Sequence, residues 1–231
     1  MAGDDAQNEP SCIASALALM GNTRTYDTIV LRTYDVGEAD RFCILLTRER
    51  GRIAARARGV RKLKSKMGGS LLPFRRVQAD VYEGSSGFLV TTTHAASMLV
   101  GNDQMQTVTA AQQGTELLQQ LLQDDEAVPE IFDITATFLE ECSSGNAPVL
   151  AFTVRLLAVL GVFPTREQEW RMPAESIAFL HVCTGTGEWW KGVLPPTEQR
   201  RSIERLCREL QHMQNPNKHN VLQGIQILAS A

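Results

Sequence analysis

The chain has 231 residues, 43% of them hydrophobic and 21% charged, a balance that fits one large globular domain or two small ones. Its net charge of −3 excludes a uniformly basic molecule, and no apolar run approaches the ~18–20 residues of a membrane span. Five cysteines (12, 43, 142, 183, 207) form no CxxC pair, which fits reduced thiols in a cytoplasm better than a disulfide framework.

The charge is unevenly spread. Residues 21–80 carry 14 Lys/Arg and six acids, a net of +8, whereas residues 81–231 carry nine Lys/Arg and 17 acids, a net of −8. The basic front and acidic rear coincide with a change of pattern that divides the chain into an arm (1–22), a β domain (23–98) and a helical domain (99–231). In the arm, the short apolar run Ile13–Met20 follows acids rather than the basic n-region of a secretory signal, so these residues read as poorly ordered.

Segment 24–34 alternates and predicts a strand, and 35–38 predicts a turn. Phe42–Thr47 is a second strand, apolar enough for burial on both faces. Glu49–Gly51 closes a hairpin onto a third strand, Arg52–Arg58. Its period-2 pattern puts Arg52, Arg56 and Arg58 on one face and Ile53, Ala55 and Ala57 on the other. Residues 60–72, with Gly68 and Gly69 ahead of Pro73, form an irregular excursion. A fourth strand, Phe74–Tyr82, turns at 84–87 into a fifth, Phe88–His94. Five short strands with one long connection predict a small Greek-key barrel of the OB type.

The basic charge is concentrated in this part. Residues 48–76 hold eleven Lys/Arg against one acid, Glu49. Crowding like charges costs self-repulsion, which a phosphate backbone offsets by accepting them and releasing counterions. Arg52, Arg56, Arg58, Arg61, Lys62, Lys64, Lys66, Arg75 and Arg76 are therefore the candidate nucleic-acid contacts. The bland alternative is a strand edge kept from aggregating by charge. Phe42 and Phe74 fit the core, leaving Tyr34 and Tyr82 to stack on bases. With so few aromatics, backbone electrostatics should dominate binding.

Beyond residue 97 the period becomes helical. Met105, Val108, Ala111, Thr115, Leu118 and Leu122 form one inward stripe. Pro129 opens a second helix with Ile131, Ile134, Phe138 and Cys142 inward. Leu150–Leu160 is apolar on nearly every side apart from Thr153 and Arg155 and predicts a central buried helix, stopped by Gly161 and Pro164. A loop (165–173) and a shorter helix (174–183) follow. Thr197 then caps a helix with Ile203, Leu206, Cys207 and Leu210 inward and Arg201, Arg205 and Arg208 outward. A last helix is predicted at about 218–229. The predicted fold class is thus α+β, an OB-type barrel followed by an all-α domain.

Gly37-Glu38 with Asp40, Thr47 to Arg52, Ala57 to Arg61, Lys64-Ser65 and Leu72-Pro73-Phe74 form an ordered series that resembles the amino-terminal domain of the bacterial RecO family of DNA repair proteins. FTVRLLAVLGVFP (152–164) is similar to that family's central helix. The resemblance implies binding of single- and double-stranded DNA and annealing of complementary strands. It also implies assistance, with RecR, to RecA on DNA coated by single-stranded-DNA-binding protein, in the cytoplasm at the nucleoid. Arg201, Arg205 and Arg208 would then make a secondary DNA contact or receive that protein's acidic tail. Many relatives carry a four-cysteine zinc site in the helical domain. This chain offers there only Cys183 beside His181, too few for tetrahedral zinc, so neither metal nor cofactor is expected.

Catalysis has little support: there is no Walker loop, HExxH or nucleophile elbow. Two other classes stay open, an OB-fold RNA-binding or ribosome-associated protein and a non-catalytic interaction scaffold.

Overall fold

The computed structural model describes residues 22–101, 105–163 and 172–214. The fold class is α+β, with a barrel followed by helices. By contact density the chain divides into two units. One takes in the chain up to Glu49 together with Ile53–Ser97, and the other Arg50–Arg52 together with the chain from Met98 onward.

In the first unit, β1 (Thr23–Val36) is long and rich in Thr, Val, Ile and Tyr, residues that suit a pleated, half-buried surface. Its register shifts between Val30 and Arg32. Such an irregularity bends a strand and increases its twist, which lets β1 pair antiparallel with two partners. Residues 28–36 pair with β2 (Asp40–Thr47), and residues 23–29 with β4 (Arg75–Gly84). β3 (Gly51–Ala57) runs parallel to β5 (Gly87–Met98) through Ala55↔Phe88 to Ala57↔Val90. The barrel closes in the order β1-β2-β3-β5-β4, the five-stranded arrangement of an OB fold.

The interior holds Val30, Cys43, Leu45, Ile53, Val77, Val81 and Val90, with the small Ala55, Ala57 and Ala79 where strands converge. As expected, Ile53, Ala55 and Ala57 point inward while Arg56 and Arg58 are exposed. β2 buries Cys43–Thr47 on both faces, but Phe42, expected in the core, is only half-buried. The reason is parity: Cys43 and Leu45 occupy the barrel interior, so Phe42 belongs to the outer face. Phe74, by contrast, is buried, at a left-handed φ of 63° just before β4.

In the second unit, α1 (Met105–Leu121), α2 (Pro129–Ser143), α3 (Val149–Val159), α4 (Ala174–Thr184) and α5 (Thr197–Gln214) follow in order, with a 3₁₀ turn at Trp189–Lys191. Pro129 occupies the first turn of α2, and Ile131, Ile134, Phe138 and Cys142 are buried as their spacing predicts. Every residue of α3 from Ala151 to Leu157 is buried, Thr153 and Arg155 included. Arg155 donates from Nη1 to the Thr184 carbonyl (2.7 Å) and from Nη2 to Glu130 Oε1 (2.5 Å), tying α3 to the last turn of α4 and the first turn of α2. Gly161 ends this region at a φ of 71°. Pro164, most of the 165–173 loop and the helix predicted at 218–229 lie outside the described residues.

α1 keeps half of its predicted stripe, with Ala111, Thr115 and Leu118 buried, and departs from the rest. Met105 is 82% exposed, and Val108 and Leu122 are half-buried, while Thr107, Ala110, Ala111, Gly114 and Leu121 are buried. The buried face is centred on small residues because α2 approaches closely there. A Cβ placed on Gly114 would stand 2.1 Å from Phe138 Cε1, and Phe138 is fully buried with its ring stacked on Phe152 at 4.2 Å. Gly114→Ala should improve helix propensity by about 1 kcal/mol yet overpack this contact at a cost of ~1–3 kcal/mol or more. A lower melting temperature is expected, and a higher one would contradict the close approach.

Candidate nucleic-acid interface

The 58–74 connection leaves the barrel after β3 and returns before β4, and it is held at both ends. Val60 and Leu71 are buried in the barrel core with Met67 packed against it. Arg41 of β2 donates from Nη1 to the Leu71 carbonyl (2.9 Å) and from Nε to Asp35 Oδ1 (3.2 Å). The Arg61 backbone N–H donates to the Ala39 carbonyl, and its Nη1 to the Gly37 carbonyl, each at 2.9 Å. These bonds fasten the loop to the β1–β2 turn. Lys62, Lys64 and Lys66 are left exposed around Leu63, which is 106% exposed.

The predicted basic residues fall into two groups. In the first, each has an acid. Arg56 pairs with Asp40 (2.8 Å) and Arg61 with Asp35 (3.3 Å). Arg76 forks onto Asp27, with Nε to Oδ1 at 3.0 Å and Nη2 to Oδ2 at 2.6 Å. Arg52 differs most from expectation, since it does not share the solvent face of Arg56 and Arg58. It is 5% exposed and, within the second unit, donates to Asp124 Oδ1 (2.6 Å) and to the Gln119 carbonyl (2.5 Å). Its neighbour Arg50 pairs with Asp125. Strand alternation describes a residue's own strand only, so partners some 70 positions away escape it. In the second group, Arg58, Lys62, Lys64 and Lys66 are exposed and Arg75 half-buried, with no acid in ion-pair range among the described residues. A guanidinium already bonded to a carboxylate offers a phosphate less than a free cation does, so the second group dominates the outward field.

Asp40 organises the junction between the groups. Its carboxylate accepts the Gly59 backbone N–H (2.8 Å) as well as Arg56. The Gly59 bond chiefly, then Arg56 and Arg58, hold its pKa below the ordinary carboxylate range. Asp80, on β4, is likewise held low, first by the Thr25 hydroxyl (2.6 Å) and then by His94 (2.9 Å).

The aromatic residues sit on the same outer side as Asp40. Tyr34 of β1 faces Phe42 of β2 directly, and the Arg32 guanidinium carbon lies 5.3 Å from the Tyr34 ring centroid. Tyr82 is half-buried, its ring against Gly84.

On α5, Arg201, Arg205 and Arg208 are exposed as expected. A groove of about 890 Å³ in the helical unit is lined by Val149, Leu150, Trp190 and Leu194 together with Glu141, Lys191, Arg200, Glu204 and Arg208, and Arg200 bonds Glu204 at 3.0 Å; Arg201 and Arg205 do not line it. Burial pushes the thiols of Cys43, Cys142, Cys183 and Cys207 up to about 12, where they are neither nucleophiles nor ready metal ligands. Among the described residues no group of three or more His, Cys, Asp or Glu is placed to hold a metal ion.

Two family models match in succession: recombination protein O N terminal over residues 20–111 and recombination protein O C terminal over residues 102–174. The chain belongs to the RecO family. It is similar to proteins named DNA repair protein RecO. That of Myxococcus xanthus is 34% identical over 143 residues, 60% of this chain and 59% of the relative. That of Streptomyces coelicolor is 36% identical over 152 residues, 60% and 61%. The Geobacter sulfurreducens protein is 27% identical over 205 residues, 74% and 84%. The chain thus spans about 59% of the length of the Myxococcus relative. The barrel and the whole basic run lie inside the N-terminal family match.

Four residues of this interface escaped the sequence: Arg32, Asp35, Asp40 and Arg41. The signal available was the placement of Asp35 and Asp40 at the two ends of one tight turn, which brings acids to the rim that the basic loop must cross.

Asp40→Asn keeps an acceptor for the Gly59 N–H and removes the charge. A depressed carboxylate pKa contributes stability that is fully present above the ordinary value near 3.8 and is lost as pH falls through the folded-state pKa. Urea midpoints should therefore favour the native chain over Asp40→Asn at pH 7, and the difference should shrink progressively as pH is taken below 3.8. An offset that does not change with pH would contradict this role.

Proposed function

We propose that this chain is a DNA-binding recombination mediator of DNA repair, with the barrel carrying the main DNA site. The observation that carries the reading is the set of exposed cations Arg58, Lys62, Lys64 and Lys66, without an ion pair among the described residues, on a loop tied to the barrel rim. Arg75 sits at the start of β4, and the paired Arg56, Arg61 and Arg76 would serve mainly as second-rank contacts. Arg52, buried on Asp124, is not among the groups that meet the ligand. The naming of the similar proteins supports a role in repair.

Such a site would bind both single and double strands through phosphate charge, and neutralising two strands at once favours annealing. Assistance to RecA with a RecR partner extends the same family reading. The groove lined by Lys191, Arg200 and Arg208 as well as Glu141 and Glu204, with Arg200 bonded to Glu204, would receive the acidic tail of single-stranded-DNA-binding protein chiefly through Arg208 and its apolar residues. We read no covalent chemistry in the chain. No helix among the described residues is long and apolar enough to cross a membrane, and a nucleoid-associated cytoplasmic location follows from the DNA reading.

The four exposed cations of this group predict a single-strand salt dependence with a log–log slope of roughly −0.7 × 4, or about −3. Arg58→Ala with Lys62→Ala should make it shallower by about 1.4, with an unchanged thermal melt because both side chains face solvent. Arg76→Ala should instead lower the melting temperature by removing the forked bond to Asp27, which keeps only the longer Arg48 pair at 3.9 Å, and leave the slope nearly as it was. A double variant with native affinity and slope would remove the basis for this site. RNA of matched length outcompeting DNA would favour the RNA-binding alternative.

A further inference from the structure

We propose that the outer face of β1 and β2 around Arg32, Tyr34 and Phe42 stacks unpaired bases, so that the barrel recognises a single strand by its base faces as well as by its phosphates. This rests on the DNA-binding reading above and adds a specificity that charge alone does not supply.

Three observations converge on this face. Tyr34 and Phe42 are directly opposed across the β1–β2 pair, and both are half-buried, so each retains accessible ring surface on the outside of the barrel. Arg32, two residues before Tyr34 on the same face, holds its guanidinium 5.3 Å from the Tyr34 centroid, close enough for a cation–π contact that orients both groups. Two of the three acids at this end of the hairpin are neutralised, Asp35 by Arg41 and Arg61 and Asp40 by Arg56, while Glu38 is exposed on the turn itself.

The order of charges fits a strand laid across the face. Asp40 lies two residues from Phe42 on β2 and receives Arg56, and the free Arg58 lies two residues beyond Arg56. Adjacent strands are about 4.8 Å apart, so base-stacking rings and phosphate-binding cations occupy neighbouring strands of one surface. In a duplex both faces of a base are covered by its neighbours, and only an unpaired strand can use the rings. A cross-strand aromatic pair can also serve the hairpin alone, which leucine replacements separate, since they keep apolar bulk without a π face.

The test compares the full chain on an oligo(dT) and on an abasic oligonucleotide of equal length, which has the same phosphates and no bases. The native chain should prefer oligo(dT) by about tenfold or more, since stacking on an aromatic ring contributes on the order of that factor per base. Tyr34→Leu combined with Phe42→Leu should bring the preference close to one, with unchanged abasic affinity and salt slope. If the pair fails to fold, Tyr34→Leu alone should lower the preference while its melt stays native. Equal affinity of the native chain for both oligonucleotides overturns the stacking proposal and leaves the electrostatic site standing. A base preference that survives the leucine variants also overturns it. Failure of the native chain to bind either strand would overturn both readings.

Discussion

Repulsion among eleven clustered Lys/Arg residues (48–76) is the constraint that this barrel is built to satisfy. The local sequence offers one acid, Glu49, but folding brings in others. Asp27 receives Arg76, Asp35 receives Arg61, Asp40 receives Arg56, and in the helical unit Asp124 receives Arg52. Each pair converts a repelling charge into a fixed bond. What is left over among the described residues, on the exposed Arg58, Lys62, Lys64 and Lys66 and the half-buried Arg75, is the charge presented to solvent.

The same bonds give the long β3–β4 connection a defined place. A closed order of β1-β2-β3-β5-β4 requires the chain to leave β3 and enter β4 two positions away, and a connection of this length would ordinarily be mobile. Here Val60 and Leu71 anchor its ends in the core, while Arg41 and Arg61 bond its backbone and the β1–β2 turn. A cation on an ordered loop loses less conformational entropy when it meets a phosphate. Order in the loop and strength of the site therefore have one cause.

Much of the architecture could be read directly from the residues. Alternation located the five strands, and the inward Ile53, Ala55 and Ala57 against outward Arg56 and Arg58 followed from period 2 alone. Pro129 marked the first turn of α2, and Gly161 the end of the central helical region. Two of the misses have a partner remote in sequence, and the third is a matter of local parity. Arg52 is buried because Asp124 and the Gln119 carbonyl receive it. Met105 is exposed because the buried face of α1, which holds Thr107, Ala111, Leu118 and Leu121 and meets α2 at Gly114, lies on the other side of the helix. Phe42 lies outside the core because its neighbours Cys43 and Leu45 hold the interior positions. In the candidate site, the identity of the outward cations was legible, but their division into paired and free was not, because the counterions come from β1 (Asp27, Asp35) and the first residue of β2 (Asp40).

That division is the central claim, and lysine footprinting tests it without altering the chain. Lys62, Lys64 and Lys66 stand on the loop, Lys191 in the helical unit and Lys218 beyond the described residues. Acetylation of the full chain, quantified residue by residue with and without saturating single-stranded DNA, should show Lys62, Lys64 and Lys66 protected and Lys191 unchanged. Protection of Lys191 and Lys218, with the three loop lysines as reactive as in the free chain, would contradict the account.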